Sequence, residues 1–311
     1  MKDQGHIAPQ TRDHIDVTGA TLLVMCSAFV GLNQVLIKLV NHGLQPVFQV
    51  GLRSACAFLP LLIYAWIAGK PLSLRDGSLG PGILAGLFFG IEFLLVFQSL
   101  DYIDVSRSAV LFYTMPFWAA LGAHYFIPGD RLTLVKSGGL VLAVIGIALA
   151  LSDNTWQLDG NTLVGDIYCL VAAVLWAGIV ILARATRFRK ACPEMQLLYQ
   201  LGVSAVVITA VSPLFGPLVR DITPMIIGLF TFQVLVVVCF SFSVWFWLLS
   251  VYPASKMASF SFLSPVFGVG FGWLILGEEL SGSIVSALVL VCVGVYLVNQ
   301  GSGNGARSTN E

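Results

Sequence analysis

The chain has 311 residues, of which 57% are hydrophobic and only 10% are charged, and its formal net charge is zero. Its mean hydropathy is +0.89. A soluble domain of this length needs a charged surface that this composition does not provide. The basic residues are spread along the chain rather than grouped in one patch, so nothing indicates a nucleic-acid partner.

Apolar stretches recur between Thr18 and Gln300. Each has the length that a bilayer core about 30 Å thick requires, roughly 20 residues. Because lipid cannot satisfy backbone polar groups, such segments must be helices. The sequence therefore predicts an all-α integral membrane protein, surrounded by lipid, with ten transmembrane helices at residues 18–40, 45–68, 79–101, 105–127, 132–151, 163–185, 193–215, 223–249, 254–276 and 281–299.

The segments outside these spans are short. Residues 1–17 are polar and lack the layout of a cleavable signal, so we expect the first helix to remain in the mature protein. Residues 152–162 are predicted to be a periplasmic linker. The Gly/Ser/Asn-rich residues 301–311 are predicted to be a disordered cytoplasmic tail.

Lys and Arg residues indicate the orientation. If the N-terminus is cytoplasmic, only Lys38, Arg107 and Arg220 fall on the opposite side, and Arg53 lies within a span. The positive-inside rule therefore predicts that both termini are cytoplasmic. The residues on the predicted cytoplasmic side are Lys2, Arg12, Lys70, Arg75, Arg131, Lys136, Arg184, Arg187, Arg189, Lys190, Lys256 and Arg307.

The two halves of the chain resemble each other, in residues 18–151 and 163–300. Each half holds five spans, so the second copy must enter the membrane from the opposite side. Inverted repeats are typical of alternating-access transporters, whose substrate site lies near the midplane between the halves. The matches pair Ser106 with Ser255, Arg107 with Lys256, Ala109 with Ala258, Pro116 with Pro265, Lys38 with Arg184, Pro46 with Pro193, Gly129 with Gly277 and Gly146 with Gly294.

Pro116 and Pro265 occupy matching places in spans four and nine. A proline inside a helix removes a backbone donor and clashes with the preceding turn. The pair therefore predicts helix breaks that could serve in gating. The alternative is that proline is simply common in membrane helices.

The chain resembles the EamA-type transporters of the drug/metabolite transporter superfamily over nearly its whole length. The resemblance rests on the two-fold repeat, Gly31, Arg53, Trp176-Ala177, the Ser-x-x-Ala…Pro pattern of spans four and nine, and the Gly-Glu-Glu-Leu-Ser run at 277–281. It implies a secondary transporter in the cell inner (plasma) membrane that exports amino acids, metabolites or drug-like compounds, or imports them in some members. The first copy departs from the pattern at Val30 and at residues 128–131.

Two ionisable side chains stand out within the spans, Arg53 and Glu92. Counted along their helices, both lie roughly 12 Å below the outer surface. Charges in a bilayer are costly, which favours a role in substrate binding or proton coupling, although a structural ion pair is the alternative. The other candidates for substrate binding or coupling are Asn33, Gln34, Tyr113, Trp176, Tyr199, Gln200 and Ser241.

Other functions are less well supported by the sequence. It contains no nucleotide-binding loop and no metal-ligand spacing, so no cofactor or metal is predicted. A membrane-embedded enzyme would need paired carboxylates or a nucleophile with a base, whereas we find one carboxylate within the spans. A channel would not require inverted repeats. Gly82, Gly86 and Gly90 form a smooth helix face that could serve internal packing or a homodimer.

Overall fold

The computed structural model describes residues 15–128, 130–152, 160–252, 257, 260 and 262–305. Residues 1–14 of the predicted N-terminal segment, most of the predicted linker and residues 306–311 of the predicted tail therefore lie outside the described part. Within that part the structure is helical, with one isolated β-bridge between Leu44 and Val219 and no strand.

The helices follow one another with short connections. They are α1 (Val17–Asn41), α2 (Pro46–Ile67), α3 (Leu79–Ser99), α4 (Val105–Phe112), α5 (Met115–Phe126), α6 (Leu134–Leu151), α7 (Gly160–Ala185), α8 (Pro193–Val211), α9 (Pro224–Phe232), a π-helix (Gln233–Phe240), α10 (Ser241–Val251), α11 (Leu263–Leu276) and α12 (Gly282–Gly305). Because α12 extends to Gly305, the first five residues of the predicted disordered tail are helical.

Among the described residues, eight helices are long and apolar enough to cross a membrane. Large apolar side chains cover their outer faces, including Ile63, Val144 and Val206. Such surface is unfavourable in water and favourable in lipid. The chain is therefore a multi-pass membrane protein. The eight segments are Val17–Asn41, Pro46–Ile67, Leu79–Ser99, Leu134–Leu151, Gly160–Ala185, Pro193–Phe215, Pro224–Trp245 and Gly282–Asn299.

The predicted continuous span 105–127 is two helices, α4 and α5. The break falls at Tyr113–Thr114, where the Thr114 hydroxyl donates to the Leu111 carbonyl at 2.6 Å. Pro116 follows in the first turn of α5, where its missing N–H costs nothing. Pro265 likewise lies in the first turn of α11. Each proline therefore follows the start of a helix rather than bending the middle of one.

The connections gather into two groups, which we call end A and end B. At end A, residues 41–45 bond to residues 216–223. The backbone N–H of Gln45 donates to the Leu218 carbonyl, and that of Arg220 donates to the Gly43 carbonyl. At end B, Lys70 pairs with Glu194 at 2.8 Å. Residues 100–104 and 277–281 also lie at end A, where Asp101 pairs with Arg220 and Glu278 with Lys38. Residues 127–133 and 186–192 lie at end B, where Asp130 pairs with Arg184.

Helices of the two halves pack on each other throughout. The closest neighbours are α6 with α12, α2 with α8, α3 with α7 and α8, and α1 with α11. The glycine face of α3 lies on α8: a Cβ at Gly82 would be 2.7 Å from the Tyr199 ring, and one at Gly86 would be 2.6 Å from Val203. This face is therefore used inside the chain and is not available to a homodimer.

Candidate functional site

A cavity of about 180 Å³ lies between the two halves. Its wall comes from α1, α2, α3, the break between α4 and α5, α7, α8 and the π-helix. Six of the nine predicted binding residues line it: Asn33, Gln34, Arg53, Glu92, Tyr113 and Trp176. The remaining wall residues are apolar: Val30, Ile37, Phe89, Phe93, Val96, Phe112, Met115, Leu201, Val237 and Val238.

Glu92 is the most unusual group in this cavity. Its residue is 0% exposed, and neither carboxylate oxygen has a hydrogen-bond partner. A buried polar group without a partner costs about 1–3 kcal/mol, and a charged one costs more. An arrangement this costly in a cavity wall is typical of a functional group that meets its partner only when the site is occupied.

Arg53 lies across the same cavity and is 4% exposed. Its guanidinium carbon sits 4.2 Å from the centre of the Phe93 ring and 4.9 Å from that of Phe97. Cation–π contact of this kind holds the charge without using its N–H groups, and Nε has no acceptor. Arg53 and Glu92 attract each other electrostatically across the cavity, but no hydrogen bond joins them: Arg53 Nε and both Glu92 oxygens are without a hydrogen-bond partner among the described residues.

A chain of buried amides supports the polar side of the cavity. Gln49 donates to Gln233 at 3.2 Å, and Gln233 donates to Asn33 at 3.1 Å. These bonds join α2, the π-helix and α1 and fix the Asn33 amide at the cavity wall. Gln34, next along α1, leaves its Oε1 without a partner.

A second cavity of about 360 Å³ adjoins the first. The two share the wall residues Val30, Tyr113, Met115, Trp176 and Val237. Predicted residue Ser241 lines this second cavity, with Ser27, Ser264, Trp245 and Phe260. Both cavities combine mostly apolar walls with a few polar groups, and only the first contains charged side chains among its described wall residues, an arrangement that suits an amphipathic solute.

The π-helix at Gln233–Phe240 was not predicted. It contributes Val237 to both cavities and Val238 to the first, and Ser241 follows it. π-Helical segments often occur at functional sites because they redirect side chains within a helix. Apart from Gln233, its sequence is apolar like that of a regular membrane helix, so composition carries no signal for it.

Two predicted residues lie elsewhere. Tyr199 packs against Gly82 and Phe188, and its hydroxyl is 3.2 Å from the Ser78 hydroxyl. Gln200 is half-buried and lines neither cavity. The neighbouring Leu201 is the residue of α8 that faces the first cavity.

An ion pair inside the bundle was also missed. Arg107 and Asp166 are joined by two hydrogen bonds, Nε to Oδ1 at 2.6 Å and Nη2 to Oδ2 at 2.7 Å, and both residues are buried. The pair fixes α4 to α7. Arg107 is therefore not a loop cation, and Glu92 is not the only carboxylate within the helices. In the described ranges no group of three His, Cys, Asp or Glu residues is placed to hold a metal ion.

A family model described as the EamA-like transporter family matches residues 17–152 and again residues 163–300. The chain belongs to the EamA-like transporter family. The two matches make it a tandem of two EamA-like units, and the resemblance found in the sequence motifs is confirmed.

Several EamA-like relatives carry transporter names. An uncharacterized transporter, YoaV, of Bacillus subtilis is 27% identical over 86% of this chain and 91% of its own length. A probable amino-acid metabolite efflux pump of Salmonella typhimurium is 27% identical over 86% of this chain and 90% of its own length. A solved structure superposes with a TM-score of 0.64 at 16% identity, covering 91% of this chain and 96% of the other, which supports the fold alone.

Proposed function

We propose that this EamA-like protein is a secondary transporter that exports a small organic solute across the cell inner membrane by alternating access. The observation that carries the proposal is Glu92, fully buried and without a hydrogen-bond donor in the wall of a cavity between the two halves. Arg53 lies across the cavity from it, but both Glu92 oxygens lack donors from the described residues. A substrate ammonium group would supply donors, and a proton would neutralise the charge.

The chemistry of the cavity favours a zwitterionic or amphipathic solute. Glu92 would bind an ammonium group, and the free Nε–H of Arg53 would donate to a carboxylate. Asn33 and Gln34 would supply amide contacts beside them, and Tyr113 and Trp176 would flank the opening into the second cavity, where Ser241 lies. Relatives named as amino-acid metabolite efflux pumps support amino acids or their derivatives as cargo and export as the direction.

Inverted repeats are part of the proposal, and two exchanged ion pairs support them. Lys38 of the first half lies 3.5 Å from Glu278 of the second, and Arg184 of the second half lies 2.6 Å from Asp130 of the first. Lys38 matches Arg184 in the repeat, and Asp130 matches Glu278. Reciprocal contacts of this kind are what a two-fold axis produces. The first pair is at end A and the second at end B, as an axis in the membrane plane requires.

The orientation follows from the charges. End B holds most of the Lys and Arg residues in connections, including Lys70, Arg75 and Lys190. End A keeps Lys38 and Arg220, since Arg107 is buried in α4. We therefore assign end B and both termini to the cytoplasm.

The test compares the solutes released by cells that produce the wild-type chain, Glu92→Gln, Glu279→Gln or no protein. We expect one zwitterionic solute to accumulate outside only with wild type and Glu279→Gln, because Glu279 is an exposed carboxylate away from the cavities. Equal export by Glu92→Gln would remove Glu92 from the site. Absence of any released solute would favour the importer alternative, which uptake assays would test.

Proton coupling is a further part of the proposal. If Glu92 exchanges a proton for the substrate, flux into vesicles will follow an imposed pH gradient in the wild type and lose that dependence in Glu92→Gln. Retention of the full dependence by the variant would exclude Glu92 as the proton carrier. Flux that fails to saturate would favour a channel, and chemical conversion of the solute would reveal an enzyme.

A further inference from the structure

The first turn of α4 is held by a carboxylate from the other half of the chain. Glu278 Oε1 accepts from the Val105 amide at 2.7 Å, and Oε2 accepts from the Ser106 amide at 2.9 Å and the Ser106 hydroxyl at 2.6 Å. These amides are free donors at a helix N-terminus, where the helix dipole also favours negative charge. The Glu278 side chain, 172 residues away in sequence from Ser106, thus accepts from both the Val105 and the Ser106 amide.

The surroundings are built to admit this carboxylate. A Cβ at Gly272 would lie 2.6 Å from Glu278 Oε2 and 3.0 Å from the Ser106 hydroxyl, so a larger residue there would press on this contact. Lys38, near the end of α1, bonds Asp104 at 2.7 Å and the Ile103 carbonyl at 3.1 Å, and reaches Glu278 at 3.5 Å. Three parts of the chain, α1, α4 and residues 277–281, are thereby closed together at end A.

Helix α4 connects this closure to the cavity. It is eight residues long, about 12 Å at 1.5 Å per residue, and Val105–Leu111 are buried. Phe112 and Tyr113 at its other end line the first cavity. Helix α4 thus runs directly from the Glu278 contact at end A to the cavity wall.

The repeat places an equivalent carboxylate, Asp130, at end B. It accepts from Lys136 at 2.7 Å and from Arg184 of the other half at 2.6 Å. Burial raises the pKa of Asp130, but the hydrogen bonds from Lys136 and Arg184 outweigh it and hold the pKa below its ordinary value, so the group is charged at neutral pH. The side chain of Glu278 is 4% exposed, whereas those of Asp130 and Arg184 are 18% and 51% exposed. Of the two carboxylates, Glu278 is therefore the more deeply buried.

We infer that Glu278 and Asp130 are the positioning residues of two gates, each holding one end of the bundle closed and releasing when the cavity opens to that end. The inference rests on the transport function proposed above. Opening at end A requires the first turn of α4 to leave Glu278, and opening at end B requires Arg184 to leave Asp130. Weakening one gate therefore shifts the population toward the state open at that end.

The test measures access to the cavity from each side of the membrane. Val30, which lines both cavities, is replaced by cysteine in a chain whose six native cysteines are changed to alanine or serine. A charged, impermeant maleimide is applied to vesicles of each orientation. We expect Glu278→Gln to raise the labelling rate from end A several-fold and lower it from end B, and Asp130→Asn to do the opposite. Glu279→Gln is the matched control and should change neither rate.

A merely structural role would change labelling from both sides in the same direction. That result, or unchanged rates in Glu278→Gln, would overturn the inference. If Glu278→Gln fails to fold, Lys38→Gln weakens the same closure while leaving the helix cap intact, and the same shift is expected. If the variants shift labelling in opposite directions but the protein exports no solute, the gates stand and the proposed transport function fails. If the protein exports solute but the variants do not shift labelling, the transport function stands and the gates fail.

Discussion

Arg107 and Asp166 form a fully buried, doubly hydrogen-bonded ion pair that sequence reasoning did not find. Arg107 lies three residues into α4, at the start of the predicted span 105–127, and its charge was counted on the outer side of the membrane; Asp166 lies in the second turn of α7. Arg53 and Glu92, predicted at one depth, both line the first cavity, but a one-dimensional pattern gives no contact between α4 and α7. A buried pair of this kind stabilises little in total, yet removing one partner is costly.

We therefore expect Asp166→Asn to lower the free energy of unfolding by about 3–5 kcal/mol, because it leaves the Arg107 charge buried and unpaired. Asp101→Asn, which breaks the partly exposed pair with Arg220, should cost about 0–1 kcal/mol. Unfolding of the purified protein in detergent measures both. Equal losses in the two variants would contradict this, and the double variant Arg107→Met with Asp166→Leu should recover most of the stability.

At the scale of the helices, composition predicted most of the spans, because length and apolar content alone determine what crosses a bilayer. It could not predict which way each helix faces. In α8, Leu201 lines the cavity, while Tyr199, two residues earlier, lies about 200° away around the helix and contacts α3. Uniformly apolar helices lack the polar face that would indicate their orientation. Sequence therefore identified polar wall residues better than aromatic ones.

The contact of α6 with α12 gives a matched pair of glycine variants. A Cβ at Gly139 would lie 2.8 Å from the Gly294 carbonyl oxygen, whereas one at Gly138 would meet nothing within 4 Å. We expect Gly139→Ala to cost about 1–3 kcal/mol, since the backbone of α12 must move. Gly138→Ala should be neutral or stabilising by up to about 1 kcal/mol. Thermal unfolding in detergent compares the two variants, and similar unfolding temperatures would show that Gly139 does not contact α12 closely.

For the whole molecule, the two-fold repeat was visible in the sequence, but its physical expression was not. Lys38 and Arg184, which match in the repeat, each pair with a carboxylate of the other half, as the proposed inverted arrangement requires. In sequence, Lys38 matches Arg184. In the fold, however, Lys38 pairs with Glu278 and Arg184 pairs with Asp130. The sequence alone therefore could not indicate these contacts between the halves.

The assignment of the ends can be tested directly. Leu74 and Ile222 are exposed at ends B and A. In the chain without native cysteines, we expect Leu74→Cys to react with an impermeant maleimide only from the cytoplasmic side and Ile222→Cys only from the outside. Reaction of both from one side would contradict the assigned crossing of the membrane, and reaction of each from the reverse side would invert the orientation.

The close contact of α6 with α12 also affects how the protein is made. Leu134 and Gly282, where these helices begin, are separated by nearly half the chain. At about 5–20 residues per second, α6 is synthesised roughly 7–30 s before its partner. During that interval Gly139 faces lipid or the insertion machinery instead of Gly294. The first half thus spends a period in the bilayer with its packing surfaces uncovered, when a quality-control protease can recognise it.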